Sequence, residues 1–227
     1  MRSTFSQPFD EEFARRCICF LFPELGYKLK LNRKDPPDLI DENCGVGIEV
    51  VRAVDSKDAE LSNAFAMYRG KNINSVPERL AEKVSAESRG LICDDRGIII
   101  GANFNVKSDL YGMIKKVISA KQKKLNLSGY KKFKRNGLFI YNSDRFCFEN
   151  GLRMLIGELQ SDTFKDIMFD FIIIYCSHEV WFCDISLDNI TKRSLADEEI
   201  ELLQKDSLLT LGRSREYDLK SEFQIKL

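Results

Sequence analysis

One stretch limits the possible folds more than any other. It runs Pro36-Pro37-Asp38-Leu39-Ile40, then a polar turn from Asp41 to Gly45, then Val46-Gly47-Ile48-Glu49-Val50-Val51-Arg52. Two short apolar runs joined by a tight polar turn read as paired strands. Side chains alternate along a strand, so Val46, Ile48 and Val50 share one face, while Gly47, Glu49 and Val51 share the other. Glu49 is the only charged residue between Cys44 and Val51. A charge inside such a strand costs free energy unless it has a partner. Pairing around the turn would bring Asp38 and Glu49 together on one edge of the sheet. Two carboxylates that close repel unless a cation lies between them, and oxygen-only ligands suit Mg²⁺ or Mn²⁺. The plainer reading is a turn aspartate after Pro-Pro and a charge on an edge strand.

The rest of the chain supplies helices and further strands in alternation, which points to an α/β fold. Phe9, Phe13, Cys17 and Phe20 recur at helical spacing, predicting a helix over residues 9 to 22. Helices are also expected over 59–68 and 76–87, although residues 56 to 96 are hard to place and read as an insertion or a lid. The Ile98-Ile99-Ile100 run predicts a buried strand over 97–103. Further strands are expected at 137–141, 169–176 and 180–185, with helices at 146–160 and 195–205. Residues 166 to 227 read as an extension of the same single domain, and the final twenty residues as a polar, extended trim to the sheet.

The helix expected over 107–125 carries the second informative pattern. Leu110, Met113, Ile114, Val117 and Ile118 form an apolar stripe. Lys121 continues that stripe and Lys124 follows it. A lysine near a helix end can snorkel to solvent, or it can reach inward toward a buried carboxylate.

Pro37-Asp38, a short gap, then Ile48-Glu49-Val50-Val51 resembles the PD-(D/E)XK nuclease superfamily. The resemblance covers roughly residues 9 to 142. It implies a restriction-endonuclease-like mixed β-sheet core flanked by helices, with Asp38 and Glu49 as the carboxylates that hold one or two Mg²⁺ (or Mn²⁺) ions. The family's lysine falls at position 51, where this chain has Val51. Lys121 is the candidate to replace it, completing the catalytic set Asp38, Glu49 and Lys121. The first helix often adds an acid in such folds; here that candidate is Glu12, and a solvated carboxylate is the alternative. The implied activity is metal-dependent hydrolysis of nucleic acid by an endonuclease-type fold, in bacterial defence or nucleic-acid processing. The alternative is a nuclease-like module that has lost catalysis and serves nucleic-acid binding or protein interaction.

Charge distribution supports a polyanionic partner. The chain has 35 basic and 35 acidic residues among 227, so net charge says nothing. From Leu110 to Ser143, however, there is no acidic residue, while Lys115, Lys116, Lys121, Lys123, Lys124, Lys131, Lys132, Lys134 and Arg135 all fall there. Of these, Lys115, Lys116, Lys124, Lys131, Lys132, Lys134 and Arg135 are the candidate nucleic-acid contacts, with Tyr130 and Phe133 placed to pack on sugars or bases. DNA is expected in preference to RNA, no membrane partner is expected, and a homodimer stays open. Seven cysteines without a CxxC pair read as buried free thiols of a cytoplasmic protein, and the one histidine, His178, reads as a turn residue. No apolar run is long enough to cross a bilayer.

Overall fold

The computed structural model describes residues 7–26, 28–32, 36–53, 56–84, 90–103, 110–142, 147–161 and 169–211. The chain divides into two compact units. The larger holds Met1–Ala53 and Ile114–Leu227, and the smaller Val54–Met113. The segment read as an insertion or lid lies within the smaller unit.

In chain order, helix α1 (Gln7–Leu21) ends at Phe22, before Pro23 opens the short α2 (Pro23–Gly26). Strands β1 (Lys30–Leu31), β2 (Leu39–Asp41) and β3 (Val46–Arg52) follow. The β2–β3 turn is built by Asp41, whose carboxylate accepts hydrogen bonds from the backbone N–H groups of Asn43 and Cys44, while Gly45 takes the left-handed conformation at φ 67°. The smaller unit contributes α3 (Ser56–Tyr68), a 3-10 turn at Ile73–Ser75, α4 (Glu78–Val84), and the strands β4 (Gly90–Cys93) and β5 (Ile99–Asn103). Helix α5 (Leu110–Leu125), β6 (Arg135–Asn142), α6 (Glu149–Gln160), β7 (Phe171–Cys176), β8 (Glu179–Asp184), β9 (Asn189–Ser194) and α7 (Asp197–Thr210) complete the fold.

Seven strands form one mixed sheet in the order β1-β2-β3-β6-β7-β8-β9. The pairs β3–β6 and β6–β7 are parallel and the others antiparallel. The protein is therefore α/β, a seven-stranded mixed sheet with flanking helices. Strands covered on both faces have no need of polar alternation, and β7 (Phe-Ile-Ile-Ile-Tyr-Cys) is buried throughout. The far edge, β9 (Asn-Ile-Thr-Lys-Arg-Ser), keeps an exposed lysine at Lys192 and a half-exposed pattern, which suits an edge. The segment after residue 166 supplies three of the seven strands.

Face assignment follows the alternation read from the sequence. Val46, Ile48 and Val50 pack with Phe13, Ala14, Cys17 and Ile18 of α1 in one core. Glu49 points to the other face, where α5 lies against it. One expectation needs correction. The Ile98–Ile100 run, expected as a buried strand, is only partly buried: β5 pairs with β4 in a two-stranded sheet, and Ile100 is 58% exposed although Ile99 is buried. Strand β9 was not anticipated, because its polar sequence has no apolar alternation and its pairing is set by β8. The polar C-terminal residues expected to trim the sheet lie largely outside the described residues. All seven cysteines are free thiols, Cys17, Cys147, Cys176 and Cys183 buried and Cys44 exposed. Among the described residues no helix is long and apolar enough to cross a membrane.

Candidate functional site

Glu49 is 0% exposed in the middle of a strand buried on both sides. Its charge is met by two lysines from one face of α5. The Lys121 ammonium donates to Glu49 Oε2 at 2.5 Å, and Lys124 lies 3.5 Å from Oε1 and 3.4 Å from Oε2. Positions 121 and 124 are three apart on a helix, so both side chains leave the same side. Lys121 is 21% exposed and Lys124 42%, so the cluster opens toward solvent along the lysines. Lys121 was expected here. Lys124, expected as a nucleic-acid contact, also faces Glu49.

Asp38 stands immediately before β2. The β2–β3 register pairs Leu39 with Ile48, and continuing it by one residue sets Asp38 opposite Glu49 on the same face. The Val50 N–H donates to Asp38 Oδ2 at 2.8 Å. Burial raises the Asp38 carboxyl above its ordinary range, and the neighbouring Glu49 charge adds to that rise. The Val50 bond and the two lysines oppose it. The two carboxylates thus feel each other, as the strand–turn–strand pattern implied. Val51 shares their face and is half-buried.

Tyr130 is the residue whose part in the site was missed. It follows α5 in the loop to β6, is only 7% exposed, and its hydroxyl has no hydrogen-bond partner of ordinary geometry among the described residues. Burial first, then the charges of Glu49 and Asp38 and hydrogen bonding to Glu49, push its ionisation upward. The loop is fixed from several directions. Asn136 accepts from the Phe133 N–H at 3.0 Å and donates to the Phe133 carbonyl at 2.9 Å. A Cβ on Gly47 would come within 2.6 Å of the Phe133 ring and 2.7 Å of Pro37, so only glycine lets these two residues close over the strand next to Glu49. The signal for Tyr130 in the sequence was its aromatic character within a basic run, which suggested base stacking. A buried ring cannot serve that purpose.

The acid-free basic run meets acids brought by other segments. Lys115 is bonded to Glu158. Lys131 donates to Glu42 at 2.8 Å and lies over the Phe133 ring. Arg135 donates to Asp184 at 2.8 Å and lies over Phe171. Lys116, Lys123, Lys132 and Lys134 are exposed and make no ion pair with any described residue.

Glu12 lies elsewhere. It sits on α1, which packs on the opposite face of the sheet from Glu49, and accepts from Arg15 at 2.8 and 2.6 Å and from Arg16 at 2.8 Å. His178 is in the β7–β8 turn, exposed, between Ser177 Oγ at 2.8 Å and Asp197 Oδ1 at 2.6 Å.

The donor chemistry at Asp38 and Glu49 fits a hydrated hard cation. Among the described residues no group of three or more His, Cys, Asp or Glu forms a cage for a metal ion. Mg²⁺, though, is commonly held by one or two carboxylates and its own waters. A positive group already stands against Glu49 in the form of the Lys121 ammonium. No family model, curated protein or solved structure matches the chain.

Proposed function

We propose that the chain is a metal-dependent nuclease with a restriction-endonuclease-like core, hydrolysing phosphodiester bonds in nucleic acid, DNA in preference to RNA. The observation that carries this reading is the Lys121 ammonium 2.5 Å from Glu49, which brings a lysine to the carboxylate pair although position 51 is valine. Asp38 and Glu49 are the residues to hold Mg²⁺ or Mn²⁺. Such an ion supplies a bound water of lowered pKa and offsets charge on the scissile phosphate. Lys121, tethered by Glu49, directs a positive charge at the place where the attacking water and a phosphate oxygen would lie. Lys124, half-exposed at the mouth of the cluster, is placed to meet a phosphate. Lys116, Lys132 and Lys134 hold the backbone by charge.

A second reading rests on the same geometry. Two ammonium groups already balance the Glu49 carboxylate, so the cluster could be a stabilising feature of a module that binds nucleic acid without cutting it.

The deciding experiment incubates the protein with single- and double-stranded DNA and RNA, with Mg²⁺ or Mn²⁺ and with chelator. Cleavage that needs the ion and is lost in Glu49→Gln supports the nuclease. Salt-sensitive binding without cleavage under every condition overturns it in favour of the binding module.

A further inference from the structure

Two of the free thiols stand against each other in the fold. Cys176 ends β7, held between β6 and β8, and is fully buried. Cys147 lies just ahead of α6 and is also buried. Their sulfurs are 2.9 Å apart, and either can be the hydrogen-bond donor. A disulfide bond is about 2.05 Å long, so an approach of about 1 Å separates this pair from a covalent link. Asn142, the β6 neighbour of Cys176, donates from Nδ2 to the Cys176 sulfur at 3.5 Å. The hydrogen bond from Cys147, helped by Asn142 and opposed by burial, holds the Cys176 thiol below its ordinary range. Burial does the reverse at Cys17 and Cys183, pushing Cys183 up to about 12, as in inert core thiols. Cys147 also forms part of the wall of an open cavity of about 280 Å³, together with Glu149, Glu179, Trp181 and Lys192.

We propose that Cys147 and Cys176 are a reversible dithiol–disulfide pair, oxidised by a hydroperoxide that reaches the Cys147 sulfur from the cavity it lines. The pair shares no residue with the Glu49 cluster and does not depend on what that cluster does. Ionisation releases one proton to solvent and leaves one proton between the two sulfurs. With that proton on Cys176, the Cys147 thiolate is the nucleophile. It attacks a peroxide oxygen, the O–O bond breaks, and Cys147 becomes a sulfenic acid. The departing hydroxide, or alkoxide, takes the Cys176 proton. The Cys176 thiolate, steadied by Asn142, then attacks the sulfenic sulfur. The S–O bond breaks, the S–S bond forms, and the hydroxide released takes a proton from solvent. The two thiols lose two electrons to the peroxide, which ends as water, or as water and an alcohol. A dithiol reductant reverses the step by exchange. In a reducing compartment a disulfide of this kind is transient and serves redox sensing or catalysis.

The test uses the full folded chain, freed of reductant. An equimolar amount of hydrogen peroxide is added, remaining thiols are alkylated under denaturing conditions, and the unreduced digest is mapped by mass. The expected product joins the peptides of Cys147 and Cys176 with the loss of two hydrogens. It should form before the exposed Cys44 thiol is consumed and should revert to two thiols with dithiothreitol. Peroxide added to the chain in urea should show no such preference, because unfolding parts the two sulfurs. Recovery of Cys147 and Cys176 as free thiols while Cys44 is oxidised overturns the proposal. So does Cys147 recovered as sulfinic acid without a link to Cys176, or a link formed equally well in urea.

Discussion

Two glutamates in this protein are equally buried, Glu49 at 0% and Glu12 at 1% exposure, and each faces two basic side chains. The resemblance ends there. Glu12 is served by arginines three and four positions along its own helix, close on both oxygens. Arg16 then passes the network on to Asp206 and Thr210 of α7, closing it between two helices. Glu49 is served by lysines 72 and 75 positions away in sequence, one close and one loose. A second carboxylate, that of Asp38, is set against it by the strand register. A planar guanidinium saturates a carboxylate and fixes it, whereas an ammonium is a mobile point charge that can be displaced. The Glu12 cluster has the form of a structural joint. The Glu49 cluster is held more loosely, by one close and one loose ammonium on a single carboxylate.

The largest expected effect breaks the comparison at Glu49. Glu49→Gln keeps the shape and removes the charge. Any ion-dependent cleavage should fall by more than the roughly 10–100-fold that loss of an outer partner costs. Stability should change little, because both lysines can turn to water. Single-turnover cleavage and urea denaturation of the same preparation check the two halves. A variant that unfolds while residual activity per folded molecule is normal would make Glu49 a structural residue like Glu12.

Next in size is Lys121→Ala, for which about a 10²-fold loss of cleavage is expected, in the range of a positioned proton-transfer or charge-stabilising group. Lys121→Arg should restore little, since the wider guanidinium cannot repeat the contact on Glu49 Oε2. If Lys121→Ala keeps full activity, Lys124 is the remaining ammonium on the carboxylate and is tested in the same way.

The Glu12 side of the comparison is read in stability. Glu12→Gln should leave cleavage unchanged and cost about 1.5–3 kcal/mol, the range for hydrogen bonds to charged groups. Burial pushes the Glu12 carboxyl up, but the bonds and charges of Arg15 and Arg16 outweigh it, and the net shift is below the ordinary 4.5. A folded value below the unfolded one means the contribution is present above about that value and fades as pH falls through the lower folded value. The difference in unfolding free energy between wild type and Glu12→Gln should therefore be constant near neutrality and shrink below pH 4.5. A difference that grows on acidification would mean that burial, not the arginines, governs this group.

Much of the site was legible because its cues are local. The Asp41–Gly45 turn sets the β2–β3 register, the register sets Asp38 against Glu49, and strand alternation turns Glu49 away from α1. The apolar stripe of α5 aims Lys121 inward by helical period alone. Contacts supplied by distant segments were not legible. Lys115, Lys131 and Arg135 stand in an acid-free run, yet Glu158, Glu42 and Asp184 reach them through the fold. Tyr130 carried no periodicity to reveal its burial. Strands β4 and β9 gave no apolar alternation, because one belongs to a two-stranded sheet and the other is a polar edge.

The smallest effect concerns the basic run, and it separates charges that are free from charges that are used. Lys132 and Lys134 are exposed and make no ion pair with a described residue, whereas Lys131 is held by Glu42 at 2.8 Å. A lysine on a phosphate releases counterions, so each lost contact should lower the slope of log affinity against log salt by about 1. Lys132→Ala and Lys134→Ala should each show that decrement on a nucleic-acid fragment. Lys131→Ala should show less, because part of its charge is already balanced inside the protein. Glu42→Gln then sharpens the comparison: freeing Lys131 should raise affinity modestly and steepen the slope. Equal decrements at all three lysines would mean that the Glu42 pair opens on binding, as exposed ion pairs of small net worth can do. No decrement at any of them would place the nucleic acid on another face of the larger unit.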